Sequence, residues 1–86
     1  MYKRQAQKSA EQRLAKTLLY IEEEFGLDTE GYLSLVLSRA DIANILGTAT
    51  EMCIRMLAKF KKEKLITTEG KRIKIKDHDL LRHMIE

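Results

Sequence analysis

The 86-residue chain has no proline, only one cysteine and only five aromatic residues. One thiol cannot close an internal disulfide and leaves too few sulfur ligands for a zinc knuckle or an iron–sulfur site. A lone cysteine fits a reducing cytoplasm, the compartment expected here. The aromatics Tyr2, Tyr20, Phe25, Tyr32 and Phe60 do not gather on strands, which argues against a base-stacking platform for single strands or RNA. No apolar run exceeds a few residues, so no membrane-spanning helix and no secretory core is expected. There is also no glycine-rich phosphate loop, no nucleophile-and-base pair and no HExxH run. His78 and His83 stand five apart with no cysteine or carboxylate pair to complete a metal site. Neither an enzyme nor a metal-dependent switch has a constellation to rest on.

What remains is one small, helix-rich domain with 44% apolar and 34% charged residues. Its size allows a single core with little stability to spare. The net charge of +3 hides a strong asymmetry. Residues 17–36 carry five acids and no Lys or Arg, whereas residues 55–76 carry nine Lys or Arg against Glu63 and Glu69. Lysines on a solvated face would be unremarkable alone, but a basic block confined to one part of a fold suits a polyanion.

The basic block follows two helix-start signals. Ser38 precedes Asp41 by three residues and Thr48 precedes Glu51 by three, two capping boxes ten residues apart. Gly47 sits where the first helix must end. A short helix, a glycine-containing turn and a basic helix over about 49–62 make a helix-turn-helix pattern. Ile42, Ala43 and Leu46 are expected inward on the first helix, and Cys53, Met56, Leu57 and Phe60 on the second. The second helix would then expose Thr50, Glu51, Ile54, Arg55, Lys59 and Lys62. Cys53 is expected to be a small core hydrophobe. Ile54, on a solvated face, is a residue able to meet a thymine methyl.

The flanking segments read as scaffold. Residues 1–12 form a polar, frayed helical lead-in without a core stripe. From Arg13 the spacing of Leu14, Leu18, Ile21 and Phe25 predicts an amphipathic helix ended by Gly26, with Glu22, Glu23 and Glu24 in solvent. After a loop over 27–31, Tyr32–Leu37 predicts a half-buried strand. Leu65–Thr68, a turn at Glu69-Gly70 and Lys71–Lys76 predict a hairpin with Ile73 and Ile75 on its apolar side. Asp77 is placed to cap a last helix in which Leu80, Leu81 and Met84 pack inward. The expected fold is mainly α with a small β component, a winged helix-turn-helix of three helices and a β-hairpin wing. The domain is expected over 13–86.

The segments Arg13–Leu19, Leu37–Gly47, Thr48–Arg55, Leu65-Ile66 and Gly70–Ile75 resemble the C-terminal DNA-binding domain of the cyclic-AMP receptor protein and fumarate–nitrate regulator (Crp/Fnr) family. The resemblance covers about residues 13–81, and its pattern LSR-DIA--LG----E---R is far more specific than a generic helix-turn-helix. It implies a bacterial transcription regulator in which Thr50, Glu51, Ile54 and Arg55 read base edges. It further implies phosphate contacts by Ser38, Arg39, Lys59, Lys62, Lys71, Arg72 and Lys74. The partner implied is double-stranded DNA, a palindromic operator when full-length and dimeric, with RNA polymerase as a further partner. Cyclic-AMP-type members carry an arginine where this chain has Thr50, and Ile54 replaces a usually small residue, so a different half-site is expected. Full-length relatives add a ligand-sensing β-roll and a long dimerisation helix, of which Gln5–Glu11 resembles the tail. The isolated domain is therefore expected to be monomeric and to hold no cofactor. The rival reading is a winged helix that binds protein, to which Ile54 and the Leu80–Met84 tail would contribute apolar surface.

Overall fold

The computed structural model describes the backbone of residues 5–85 and the side chains from Ala10 to Ile85. Residues 1–4 of the expected lead-in lie outside the described residues. The first helix, α1, runs over Gln5–Phe25, so it starts well before the apolar stripe does. Leu14, Ala15, Leu18 and Ile21 form its buried face. Phe25, expected in that stripe, is instead exposed. The helix outruns the core, and Leu33 from the following loop packs beside Leu18 and Ile21 in its place. The Gly26 amide closes the helix on the Glu22 carbonyl at 2.9 Å. Glu22 does not simply face solvent: its carboxylate lies 2.9 Å from His78 Nε2.

The strand expected over Tyr32–Leu37 does not form. Leu27 and Leu33 make one isolated antiparallel bridge, and the Leu33 amide donates to the Ile73 carbonyl at 2.8 Å. A pleated segment needs a neighbour along an edge, and beyond Leu33 the described pairing is a single bond from the Ser34 amide to the Gly26 carbonyl at 2.9 Å. Leu33 is buried, while Leu35 and Leu37 pack partly against the core.

Helix α2, Arg39–Leu46, has the capping box in full. Ser38 Oγ accepts from the Asp41 amide at 3.0 Å, and Asp41 Oδ2 accepts from the Ser38 amide at 3.3 Å. Gly47 ends the helix in the left-handed region, and the Thr48 amide donates to the Ala43 carbonyl at 3.0 Å. Helix α3 spans Thr50–Lys62 and is capped by Ala49 without a side-chain hydrogen bond. The second capping box is thus absent, because Thr48 is used in closing α2 and α3 starts beyond it. Glu51 falls in the first turn with its carboxylate 3.8 Å from Arg55 Nη2.

Strands β1 (Ile66–Glu69) and β2 (Arg72–Ile75) form the antiparallel wing, in register from Ile66–Ile75 to Glu69–Arg72. The turn is therefore Gly70-Lys71, one residue later than expected. Helix α4, His78–Met84, begins at Asp77, whose Oδ1 accepts from the Leu80 amide at 3.0 Å. Leu81 is buried, whereas Leu80 is exposed, contrary to expectation. The core joins the four described helices and the wing, and Cys53 and Phe60 from α3 lie within it with no measurable exposure. Burial of this kind fixes α3 on one side and leaves its other side to solvent.

Candidate nucleic-acid interface

The amphipathicity of α3 determines what it presents. Cys53, Met56, Leu57 and Phe60 are buried, and every other residue of the helix is exposed. At about 100° per residue, Glu51, Arg55, Ala58 and Lys62 point away from that stripe. Thr50, Ile54 and Lys61 turn to one flank, Lys59 to the other. Ile54 is 49% exposed, so it is available to an outside partner and not to the core. Glu51 and Arg55 are also open, at 81% and 73% side-chain exposure. An ion pair that exposed and that long holds neither side chain firmly.

On the Ile54 flank lies a groove of about 180 Å³ lined by Arg39, Ile54, Leu57, Ala58, Lys61 and Thr68. Arg39 spans it, and its Nη2 donates to the Gly70 carbonyl at 3.0 Å. The start of α2, the open face of α3 and the tip of the wing therefore share one surface. Ser38 stays engaged as the α2 cap, and Lys71 is exposed in the wing turn. Lys61 and Thr68 were not singled out from the sequence. The signal for Lys61 was its seven-residue spacing from Ile54, which repeats a helix face. Thr68 had no such signal, because hairpin register decides which of its faces meets α3.

Two of the expected phosphate ligands are placed differently from the rest. Lys59 Nζ lies 3.0 Å from Glu11 Oε2 of α1, and that hydrogen bond and charge raise its pKa. Arg72 is 34% exposed and faces three carboxylates: Asp28 at 3.0 Å, Glu30 at 2.6 Å and Glu69 at 3.4 Å. Its guanidinium carbon also lies 4.2 Å from the Tyr32 ring centre, and Lys74 Nζ lies 4.8 Å from the same centre. The acids push the Arg72 pKa upward, led by the Glu30 hydrogen bond. Neither side chain is idle on the surface.

A family profile described as the Crp-like helix-turn-helix domain matches residues 12–84. The chain belongs to this family. It is 34% identical over 76 residues to the fumarate and nitrate reduction regulatory protein of Vibrio cholerae, covering 85% of this chain and 30% of that protein. It is 36% identical over 76 residues to regulatory protein HlyX of Actinobacillus pleuropneumoniae, covering 85% and 31%. Among solved structures it is similar to the CO-dependent transcription factor CooA of Carboxydothermus hydrogenoformans, with a TM-score of 0.79 and 28% identity. That likeness covers 90% of this chain and 37% of the other. A Crp/Fnr-family transcriptional regulator of Eubacterium rectale gives a TM-score of 0.73 at 31% identity, over 87% and 32% of the two chains. The chain thus spans about a third of the length of the relatives it matches.

In this Crp-like domain the helix-turn-helix proper is α2–α3 and the wing is β1–β2. Among the described residues no group of three His, Cys, Asp or Glu side chains comes together as a metal site. Burial raises the Cys53 thiol pKa, with Arg39 opposing it. A thiol so enclosed suits packing better than reaction. No described helix is long and apolar enough to cross a membrane.

Proposed function

We propose that this Crp-like domain binds double-stranded DNA as the reading head of a bacterial transcription regulator, with α3 in the major groove. The observation that carries the proposal is the shared surface of α2, α3 and the wing tip, held by the Arg39–Gly70 hydrogen bond. An α-helix fits the major groove, and each base pair there presents a distinct pattern of donors and acceptors. Glu51 accepts from cytosine N4, Arg55 donates both arms to guanine, and Thr50 and Ile54 meet neighbouring edges and methyls. On DNA the long Glu51–Arg55 pair opens, each partner exchanging the other for a base. Ser38, Arg39, Lys62, Lys71 and Lys74 supply phosphate contacts, and Lys61 joins them from the groove. Lys59 reaches a phosphate only by leaving Glu11.

The domain acts by binding and not by catalysis, needs no cofactor of its own, and works in the cytoplasm. As part of a dimeric regulator it would meet a palindromic operator, and RNA polymerase is the further partner such a regulator would engage. Alone it is monomeric, so its affinity is modest, since paired half-sites supply much of the binding free energy. Selection of preferred duplexes from a randomised pool tests this reading. The chain should enrich a short motif, and Arg55→Ala should relax preference at one position of it, at a cost of about 1–3 kcal/mol. An unchanged motif in that variant removes Arg55 from base readout, and a pool that never converges removes sequence-specific reading.

A further inference from the structure

We propose that Arg72 is a positioning residue that fixes the wing against the 27–33 loop, and that it does not bind a DNA phosphate. The inference rests on DNA binding by the α3–wing face.

The geometry on both sides of Arg72 is constrained. On the loop side, Asp28 is a hub: its Oδ1 accepts from the amides of Glu30 at 2.8 Å and Tyr32 at 3.0 Å. Its own amide donates to the Tyr32 carbonyl at 2.8 Å. The outer oxygen, Oδ2, takes Arg72 Nη2 at 3.0 Å, and the same nitrogen reaches Glu30 Oε1 at 2.6 Å. On the wing side, the Ile73 carbonyl beside Arg72 accepts from the Leu33 amide at 2.8 Å. Gly31 lies against the Lys74 stem so closely that an added Cβ would stand 3.2 Å from Lys74 Cε. Guanidinium contacts, a backbone bond, ring contacts and close packing thus converge on β2.

Electrostatics decide between holding the wing and holding DNA. Arg72 faces three carboxylates, and even with the Lys74 ammonium over the same Tyr32 ring the cluster carries net negative charge. A phosphate approaching that guanidinium would approach Asp28, Glu30 and Glu69 as well, and like charges at such range repel. The guanidinium divides two nitrogens among three carboxylates, Nη2 to Asp28 and Glu30 and Nη1 to Glu69, while lying over the Tyr32 ring, a span that the point charge of a lysine does not cover. Part of the basic character of the wing is therefore internal, and the acidic loop, remote from α3 in sequence, sets where Lys71 and Lys74 stand.

The two roles predict opposite signs for neutralising the loop. Removing acids near a DNA-binding face should strengthen binding if charge alone matters. If the acids hold the wing, Asp28→Asn should weaken binding although it makes the chain more positive.

The test measures binding of a short mixed-sequence duplex across a salt series for the wild-type chain and for R72K, R72Q, D28N, R72Q/D28N and K71Q, after circular dichroism has verified that each folds. Hydrogen exchange of the Leu33, Ile73 and Ile75 amides is followed in parallel without DNA. R72K and R72Q should each weaken binding by roughly three- to tenfold with an unchanged salt slope. D28N should weaken it similarly, the double variant should be no worse than either single one, and the amides at the wing–loop contact should exchange faster. K71Q should instead flatten the salt slope by about 0.9. Rescue by R72K, a slope lowered by R72Q or tighter binding by D28N would overturn the proposal and return Arg72 to phosphate contact. If the wild-type chain binds no duplex, the DNA reading falls by itself. Unchanged exchange in R72K and D28N would then still refute a positioning role.

Discussion

Arg39 Nη2 donates to the Gly70 carbonyl at 3.0 Å, across 31 residues of sequence, and ties the first turn of α2 to the tip of the wing. The other terminal nitrogen, Nη1, is buried with no hydrogen-bond partner among the described residues. A buried donor left unpaired costs stability, while the rest of the half-buried Arg39 side chain keeps its charge within reach of a phosphate. Arg39→Met should therefore leave thermal stability unchanged or slightly raised while weakening duplex binding and lowering its salt slope by about 0.9. Differential scanning calorimetry and binding titrations on one preparation check both halves.

Lys61 and Lys59 lie two residues apart on α3 and should behave differently. Lys61 lines the groove with Arg39 and Ile54, whereas Lys59 is held by Glu11 on the other flank. Lys61→Gln should weaken all duplex sequences alike and lower the salt slope by about 0.9. Lys59→Gln should change binding little and lower stability only slightly, as expected for an exposed ion pair. Equal effects in a salt-dependent binding assay would contradict this division of the helix.

The contrast between these residues also marks how far the sequence alone could lead. Apolar spacing located the Cys53–Phe60 stripe and hence the open face of α3, and Ser38 with Asp41 marked the start of α2. These are local patterns with a fixed period, and local chemistry enforces them. Thr48–Glu51 had the same pattern but not the same outcome, since the turn closing α2 on Gly47 takes up Thr48. Tyr32–Leu37 alternated like a strand yet lacked a neighbour to pair with along its length. The ion pairs of Lys59 and Arg72 join residues far apart in sequence, so a count of basic residues could not separate solvent-facing lysines from cations already paired.

Gly47 and Phe60 test the framework that aims α3. Gly47 ends α2 at φ +72°, a conformation that costs an ordinary L-residue about 1–3 kcal/mol. Gly47→Ala should lose that amount in denaturant unfolding. Phe60 has no measurable exposure, and Phe60→Ala should cost about 3–5 kcal/mol through lost burial and a residual cavity. For a domain this small that is a large share of total stability.

Acid should weaken the contact between loop and wing. Partial burial alone would raise the Asp28 pKa, but the Arg72 hydrogen bond and the Tyr32 and Glu30 amides outweigh it and lower the value. A folded-state pKa below the unfolded one contributes stability that is fully present above the unfolded value. That contribution is lost as pH falls through the folded value. The stability difference between the wild-type chain and Asp28→Asn should therefore be largest near neutrality and shrink below about pH 4. Urea unfolding at a series of pH values measures it, and a difference independent of pH would contradict the assigned role of Asp28.

An NMR titration of the isotopically labelled chain with a short mixed-sequence duplex at low salt tests DNA binding most directly, because it detects weak association and locates it. Amide shifts should concentrate at Ser38–Arg39, Thr50–Lys62 and the Gly70–Lys71 turn, and added salt should reverse them. The absence of shifts, or shifts confined to the acidic end of α1 or to α4, would contradict DNA docking through α3 and the wing.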